Sequence, residues 1–126
     1  MSVSQILIVE DNPAIYYTLN YLLESNGFQS MIAENVKDAI HKVNSDVFKL
    51  ILLDLNLPDG QGKDLLYHLR KKMNNDVPVI VMSATLQDSK VHMLLEMGAN
   101  DYVIKPFDVD ELLHLIRHWA QHNVAH

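Results

Sequence analysis

The sequence predicts an α/β protein: one doubly wound, five-stranded parallel sheet with five helices on its two faces. Two observations carry this reading. Short aliphatic runs alternate with stretches whose apolar residues recur at helical spacing, and five such pairs follow one another in series. Neither an internal repeat nor a low-complexity linker interrupts the series. Parallel strands need crossover connections, and these are almost always right-handed, so few topologies remain.

The elements follow in order. "QILIVE" (5–10) is the first strand, with Asp11, Asn12 and Pro13 behind it. Pro13 stands near the first helical position, where a missing N–H costs nothing. Ile15, Leu19, Leu22 and Leu23 then form one helix face, until Asn26-Gly27 stops it. "FQSMIA" (28–33) is a weaker second strand, and "VKDAIHKV" (36–43) places Val36, Ala39, Ile40 and Val43 at helical spacing. "KLILLD" (49–54) is the most hydrophobic strand, as expected of one covered on both faces. After the Pro58–Gly62 turn, Leu65, Leu66 and Leu69 mark a third helix. "VPVIVMS" (77–83) is the fourth strand, and Val91, Leu94 and Leu95 mark a fourth helix ended by Gly98. "DYVIK" (101–105) is the fifth strand. Pro106 breaks the chain, and Val109, Leu112, Leu113 and Ile116 mark the last helix.

With 126 residues the chain suits one domain, expected over residues 4–122. It has no cysteine, which excludes disulfides and thiolate metal sites. The apolar runs are too short to span a bilayer, and the amino end lacks the basic flank of a signal peptide, so no membrane role and a cytoplasmic location are expected. A net charge of −6 argues against direct, non-specific nucleic-acid binding.

The polar residues fall at strand ends. Glu10 and Asp11 follow the first strand, Asp54 the third and Ser83 the fourth, while Lys105 closes the fifth. Ligands of open α/β sheets bind outside the carboxyl ends of the strands. Three carboxylates gathered there would raise one another's pKa values unless positive charge sat among them. Lys105 supplies one such charge, and a hard cation with oxygen ligands would supply more.

"VED", "LLDLNLPDGQG", "VMSA" and "GANDYVIKPF" come in that order, with 43 residues from Asp11 to Asp54, 29 more to Ser83 and 22 more to Lys105. Each piece is weak alone. Together, over nearly the whole chain, they resemble the receiver domain of bacterial response regulators, the CheY-like switches of two-component signalling. The resemblance implies the sheet order 2-1-3-4-5 and a phosphorylation-dependent switch rather than a conventional enzyme, with self-catalysed phosphorylation and dephosphorylation. It implies Asp54 as the phosphoacceptor, and Mg²⁺ held by Asp11, by Asp54, by the backbone carbonyl of Asn56 and, through water, by Glu10. It implies that Lys105 pairs with the phosphoryl oxygens, that Ser83 and Tyr102 form the switch pair, and that Lys105-Pro106 is a candidate cis peptide. Glu10 and Ser83 stand where the family often has Asp and Thr. The implied partners are a histidine kinase or a histidine phosphotransfer protein, and an output domain beyond His126 if the chain does not stand alone. "GANDYVIKPFDVDELLHLIR" further resembles the branch that forms homodimers through helix 4, strand 5 and helix 5. Lys90, Asp101, Glu111 and Arg117 would be the paired charges there, and Asn100 departs from the usual acidic pair.

Blander readings compete. Alone, Asp54 is a turn residue, Glu10 a solvated helix-start charge, Ser83 a helix N-cap and Tyr102 a half-buried strand aromatic. "GQGKDL" (60–65) lacks the third glycine of a dinucleotide fingerprint and reads as a turn and helix start. A small-molecule phosphotransferase of the haloacid dehalogenase type would want an acid two residues after its nucleophile, where this chain has Asn56. A phosphorylation-independent interaction module is the other rival. His114, His118, His122 and His126 recur every four residues, but with no HExxH pattern or carboxylate partner evident they read as a polar, solvent-facing stripe. Leu115 and Trp119, and likewise Tyr16, Tyr17 and Tyr21, give their helices more apolar surface than one face hides. They are read as partner surfaces or ordinary half-buried residues.

Overall fold

The computed structural model describes residues 5–57, 60–84 and 89–122, apart from the side chains at 60, 61 and 122. The five main strands are β1 (Gln5–Val9), β2 (Gln29–Ala33), β3 (Leu50–Asp54), β4 (Val79–Ser83) and β5 (Asp101–Ile104). All pair in parallel, in the order β2-β1-β3-β4-β5. The helices are α1 (Pro13–Ser25), α2 (Val36–Ser45), α3 (Gly62–Tyr67), α4 (Ser89–Glu96) and α5 (Val109–His122). The expected class, strand number and order all hold, with strand edges trimmed by one or two residues.

Alternation along the strands builds two cores. Leu7, Val9, Ile51, Leu53, Val79 and Val81 face α2, α3 and α4. Ile6, Ile8, Leu50, Leu52, Ile80 and Met82 face α1 and α5. Every residue of β3 is buried, which explains why its sequence shows no polar alternation. The inner face of α1 differs in one respect from the expected stripe. Tyr16, Leu19 and Leu23 are its buried residues, while Ile15 and Leu22 are only partly covered. Tyr17 and Tyr21 are exposed, so the three tyrosines do not form one surface. Leu115 and Trp119 are half-buried against the core on the α1/α5 side of the sheet.

Local chemistry sets the boundaries. Asn12 caps α1 by accepting the Ala14 N–H at 3.0 Å, with Pro13 just inside. Asn35 caps α2 through the Asp38 N–H at 2.7 Å. Asp108 accepts the Glu111 N–H at 3.1 Å at the start of α5. Two features had no sequence signal. Residues Asn56–Leu57 and Gly60–Gln61 form a short antiparallel ladder after β3; Pro58 and Asp59 of the expected turn lie outside the described residues. The helix carrying Leu65, Leu66 and Leu69 continues past α3 as a π-helical turn, His68–Lys72. That wide turn brings Arg70 to the α4–β5 connection, where it donates to the Gly98 carbonyl and to Asn100 Oδ1.

Candidate functional site

The parallel sheet delivers Glu10, Asp54, Ser83 and Lys105 to one edge. Each ends or immediately follows its strand, so all emerge on the same side. Glu10, Asp54 and Ser83 are buried polar residues, with relative exposures of 1%, 4% and 2%. Such groups need partners. Lys105 Nζ supplies two bonds, 2.8 Å to Glu10 Oε1 and 3.0 Å to Asp54 Oδ1. The other oxygen of Glu10 accepts the Asn12 N–H at 3.2 Å, so the residue before α1 is tied to the helix cap. Asp11, beside Glu10, is exposed. Ligand oxygens of Glu10, Asp11 and Asp54 all lie within 4.8 Å of one another.

The electrostatics follow from burial. Desolvation raises the Glu10 pKa above its ordinary value and the nearby Asp54 charge adds to this, while the Lys105 hydrogen bond pulls the other way without winning. Burial by itself would lower the Lys105 ammonium. The hydrogen bonds to Glu10 and Asp54 outweigh it and hold the pKa above the ordinary lysine value. Three hard oxygen donors from three carboxylates, partly buried and answered by a single ammonium, match the donor set of a hard divalent cation.

The remaining expected residues are also placed. Ser83 ends β4 opposite Ile104, and its carbonyl accepts the Lys105 N–H at 2.8 Å. Tyr102 is half-buried on β5, packed against the α2–α4 core. Asn56 sits two residues past Asp54, exposed, at the start of the short ladder. The Lys105-Pro106 peptide is cis. Of the charges considered for a two-fold contact, Asp101 accepts the Trp119 indole N–H at 3.1 Å, and Arg117 donates to Asn26 at 3.1 Å. Glu111 and Lys90 are exposed. Asn100 is used inward: its side-chain oxygen accepts the Val79 N–H at 2.9 Å as well as Arg70 at 3.1 Å.

The family model for the response regulator receiver domain matches residues 6–117. The chain belongs to that family. It is 41% identical over 114 residues to the transcriptional regulatory protein KdpE of Staphylococcus aureus, covering 90% of this chain and 48% of the relative. It is 40% identical over 114 residues to the phosphate regulon transcriptional regulatory protein PhoB of Escherichia coli, covering 90% and 50%. The chain therefore spans about half the length of the curated relatives it matches. Among solved structures, a CheY-like receiver domain protein from Methanospirillum hungatei superposes with a TM-score of 0.89 at 29% identity, covering 97% of both chains. The receiver domain of the Pseudomonas aeruginosa sensor histidine kinase PA1611 superposes with a TM-score of 0.85 at 27% identity, covering 95% of this chain and 99% of that one; its structure holds a magnesium ion coordinated in the active-site cleft. No helix among the described residues of this receiver is long and apolar enough to cross a membrane.

Proposed function

We propose that this receiver is a phosphorylation-dependent signalling switch, with Asp54 as the phosphoacceptor. One observation carries the reading: a buried carboxylate at the end of the central strand, held at 3.0 Å by a lysine that also holds Glu10. An Asp54 oxygen attacks the phosphorus of a phosphohistidine donor. The new O–P bond forms as the N–P bond breaks, and the donor imidazole leaves with the electron pair. Lys105 already touches Asp54, so its ammonium is in place to neutralise charge on the phosphoryl oxygens. Mg²⁺ fits the cluster of Glu10, Asp11 and Asp54, with the Asn56 carbonyl as a further ligand, and when bound would offset charge on the same oxygens. Hydrolysis of the acyl phosphate by water resets Asp54, and this self-catalysed step needs no separate enzyme.

The acyl phosphate brings roughly −1.5 to −2 of charge and new acceptor oxygens. Ser83, at the end of the neighbouring strand, turns its hydroxyl toward them, and Tyr102 follows on β5. The change reaches the α4–β5–α5 face. The donors are a histidine kinase or phosphotransfer protein, and the readers are an output domain or partner protein that docks on that face. A homodimer formed there would have to share Asp101 between Trp119 and a charge of the second copy. We take residues 4–122 as the functional unit.

The test is acetyl phosphate, or beryllofluoride, with Mg²⁺. Wild type should gain one acid-labile phosphoryl group by intact mass, and Asp54→Asn and Asp11→Asn should gain none. A wild type that neither takes the group nor shifts the NMR signals of Ser83 and Lys105 with beryllofluoride would favour the phosphorylation-independent module.

A further inference from the structure

The outer face of α5 carries chemistry that the switch does not use. Asp110, His114 and His118 succeed one another at four-residue steps, so they stand in one row along the helix. All three are exposed. Asp110 is a carboxylate one turn ahead of the histidines and lies outside any HExxH pattern. Neither the Asp110 nor the His114 side chain makes a hydrogen bond or ion pair among the described residues. His118 stacks edge-on against Trp119, with ring centroids 5.0 Å apart. Trp119 is in turn anchored at its indole N–H by Asp101.

We propose that this face is a second metal site, for a divalent transition-metal ion of the zinc, copper and nickel group, bound by the imidazoles of His114 and His118. Two histidines one turn apart on a helix can reach one ion, which is the same spacing that zinc-binding helices use. Imidazole nitrogen selects this group of metals over Mg²⁺, so the site is chemically separate from the all-oxygen cluster at Glu10, Asp11 and Asp54. Asp110 serves the pair as a positioning residue: one turn before His114 on the same helix row, its carboxylate would accept that ring's second N–H when the other nitrogen binds the ion, and so fix its tautomer. Two protein ligands leave coordination positions for water, which makes the site an open one. The Trp119 stack holds the His118 ring and limits its rotamers, so less side-chain freedom is lost on binding.

The same stack supplies the readout. Trp119 is the chain's single tryptophan, and a Cu²⁺ ion on His118 would lie close enough to quench it. Cu²⁺ is titrated into the full chain with Mg²⁺ in excess while tryptophan fluorescence is followed. Wild type should show saturable quenching, reversed by excess Zn²⁺, which binds without quenching. His114→Ala leaves the Trp119 stack in place and puts a strong helix former on an exposed turn, so the helix should persist by circular dichroism. It should shift the quenching midpoint by about tenfold or more, as loss of a ligand requires. Asp110→Asn should shift it less and in the same direction, and Asp11→Asn not at all. Absence of saturable quenching, or a midpoint unchanged in His114→Ala, would overturn the proposal.

Discussion

The sheet carries a cation at each end, and the two are held in opposite ways. At the carboxyl edge, Lys105 grips two carboxylates, and its pKa rises above the ordinary value. At the amino edge of β4 and β5, Arg70 meets only neutral acceptors: the Gly98 carbonyl twice, at 2.8 and 3.2 Å, the Asn75 carbonyl at 2.8 Å, and Asn100 Oδ1 at 3.1 Å. Burial lowers the Arg70 pKa, and the Asp76 charge only partly opposes that. The difference separates a clasp from a working site. Four hydrogen bonds hold the guanidinium fork to neutral acceptors of the fold itself, with no acid among the described residues to share it. The other end keeps three carboxylates around one ammonium, an arrangement that a cation or a change in charge would relax.

The strongest way to break this comparison is to remove the clasp. Arg70→Ala strips partners from two backbone carbonyls and from Asn100, and leaves the wide turn of residues 68–72 with nothing to hold. The expected loss is about 3 kcal/mol in urea unfolding, the scale of several lost hydrogen bonds to a charged donor. Arg70→Lys should recover only part of it, because an ammonium cannot reproduce the fork. Gly98 belongs to the same clasp. Its φ of +117° suits glycine, and a Cβ there would lie 3.0 Å from Arg70 Nε. If Arg70→Ala cost no more than an ordinary surface substitution, the amino edge would not be a clasp.

The opposite sign is expected at the carboxyl edge. The Glu10 pKa is raised, chiefly by desolvation, so the folded chain binds the proton more tightly than the unfolded one. Stability should therefore rise as pH falls through the Glu10 folded pKa toward the unfolded value of 4.5, and fall again as pH climbs back. Glu10→Gln imitates the protonated form at every pH. Measured without Mg²⁺ at neutral pH, it should be more stable than wild type, and its stability should change less than that of wild type across that window. A neutral-pH loss in Glu10→Gln would mean that the Lys105 pair outweighs desolvation, and the edge would then be a structural ion pair like any other.

Much of this was legible in the sequence, and for physical reasons. The carboxyl-edge residues sit at the ends of largely apolar strands, where a charge stands out, and a parallel sheet brings all such ends together. The clasp was not legible. Arg70 lies in a basic run, "RKK", that reads as solvated surface, and only a π-helical turn with no sequence signature sets it apart from Lys71 and Lys72. Asn100 read as a departure at a partner surface, because nothing in its neighbours shows that its oxygen faces Arg70 and Val79. Tyr16 read as surplus aromatic surface because Ile15 offered a more hydrophobic residue for the same turn.

Tyr16 gives the smallest and sharpest test. Glu34 follows β2 and is one more acid at the carboxyl edge, yet its partner is a phenol rather than an ammonium: Tyr16 Oη donates to Glu34 Oε2 at 2.8 Å. That bond, helped by desolvation and by the Glu34 charge, pushes the Tyr16 pKa up to about 12 from 10.0. A raised phenol pKa means that the folded state keeps a proton the unfolded state loses, so the contribution is present below pH 10 and disappears as pH rises through about 12. A late phenolate step should appear when absorbance is followed through this range, and Tyr16→Phe should delete it. Glu34→Gln should move it toward the ordinary value without altering phosphorylation at Asp54. If Glu34→Gln instead blocked phosphorylation, Glu34 would belong to the cluster around Lys105, and the line drawn between the working site and the rest of its edge would have to move.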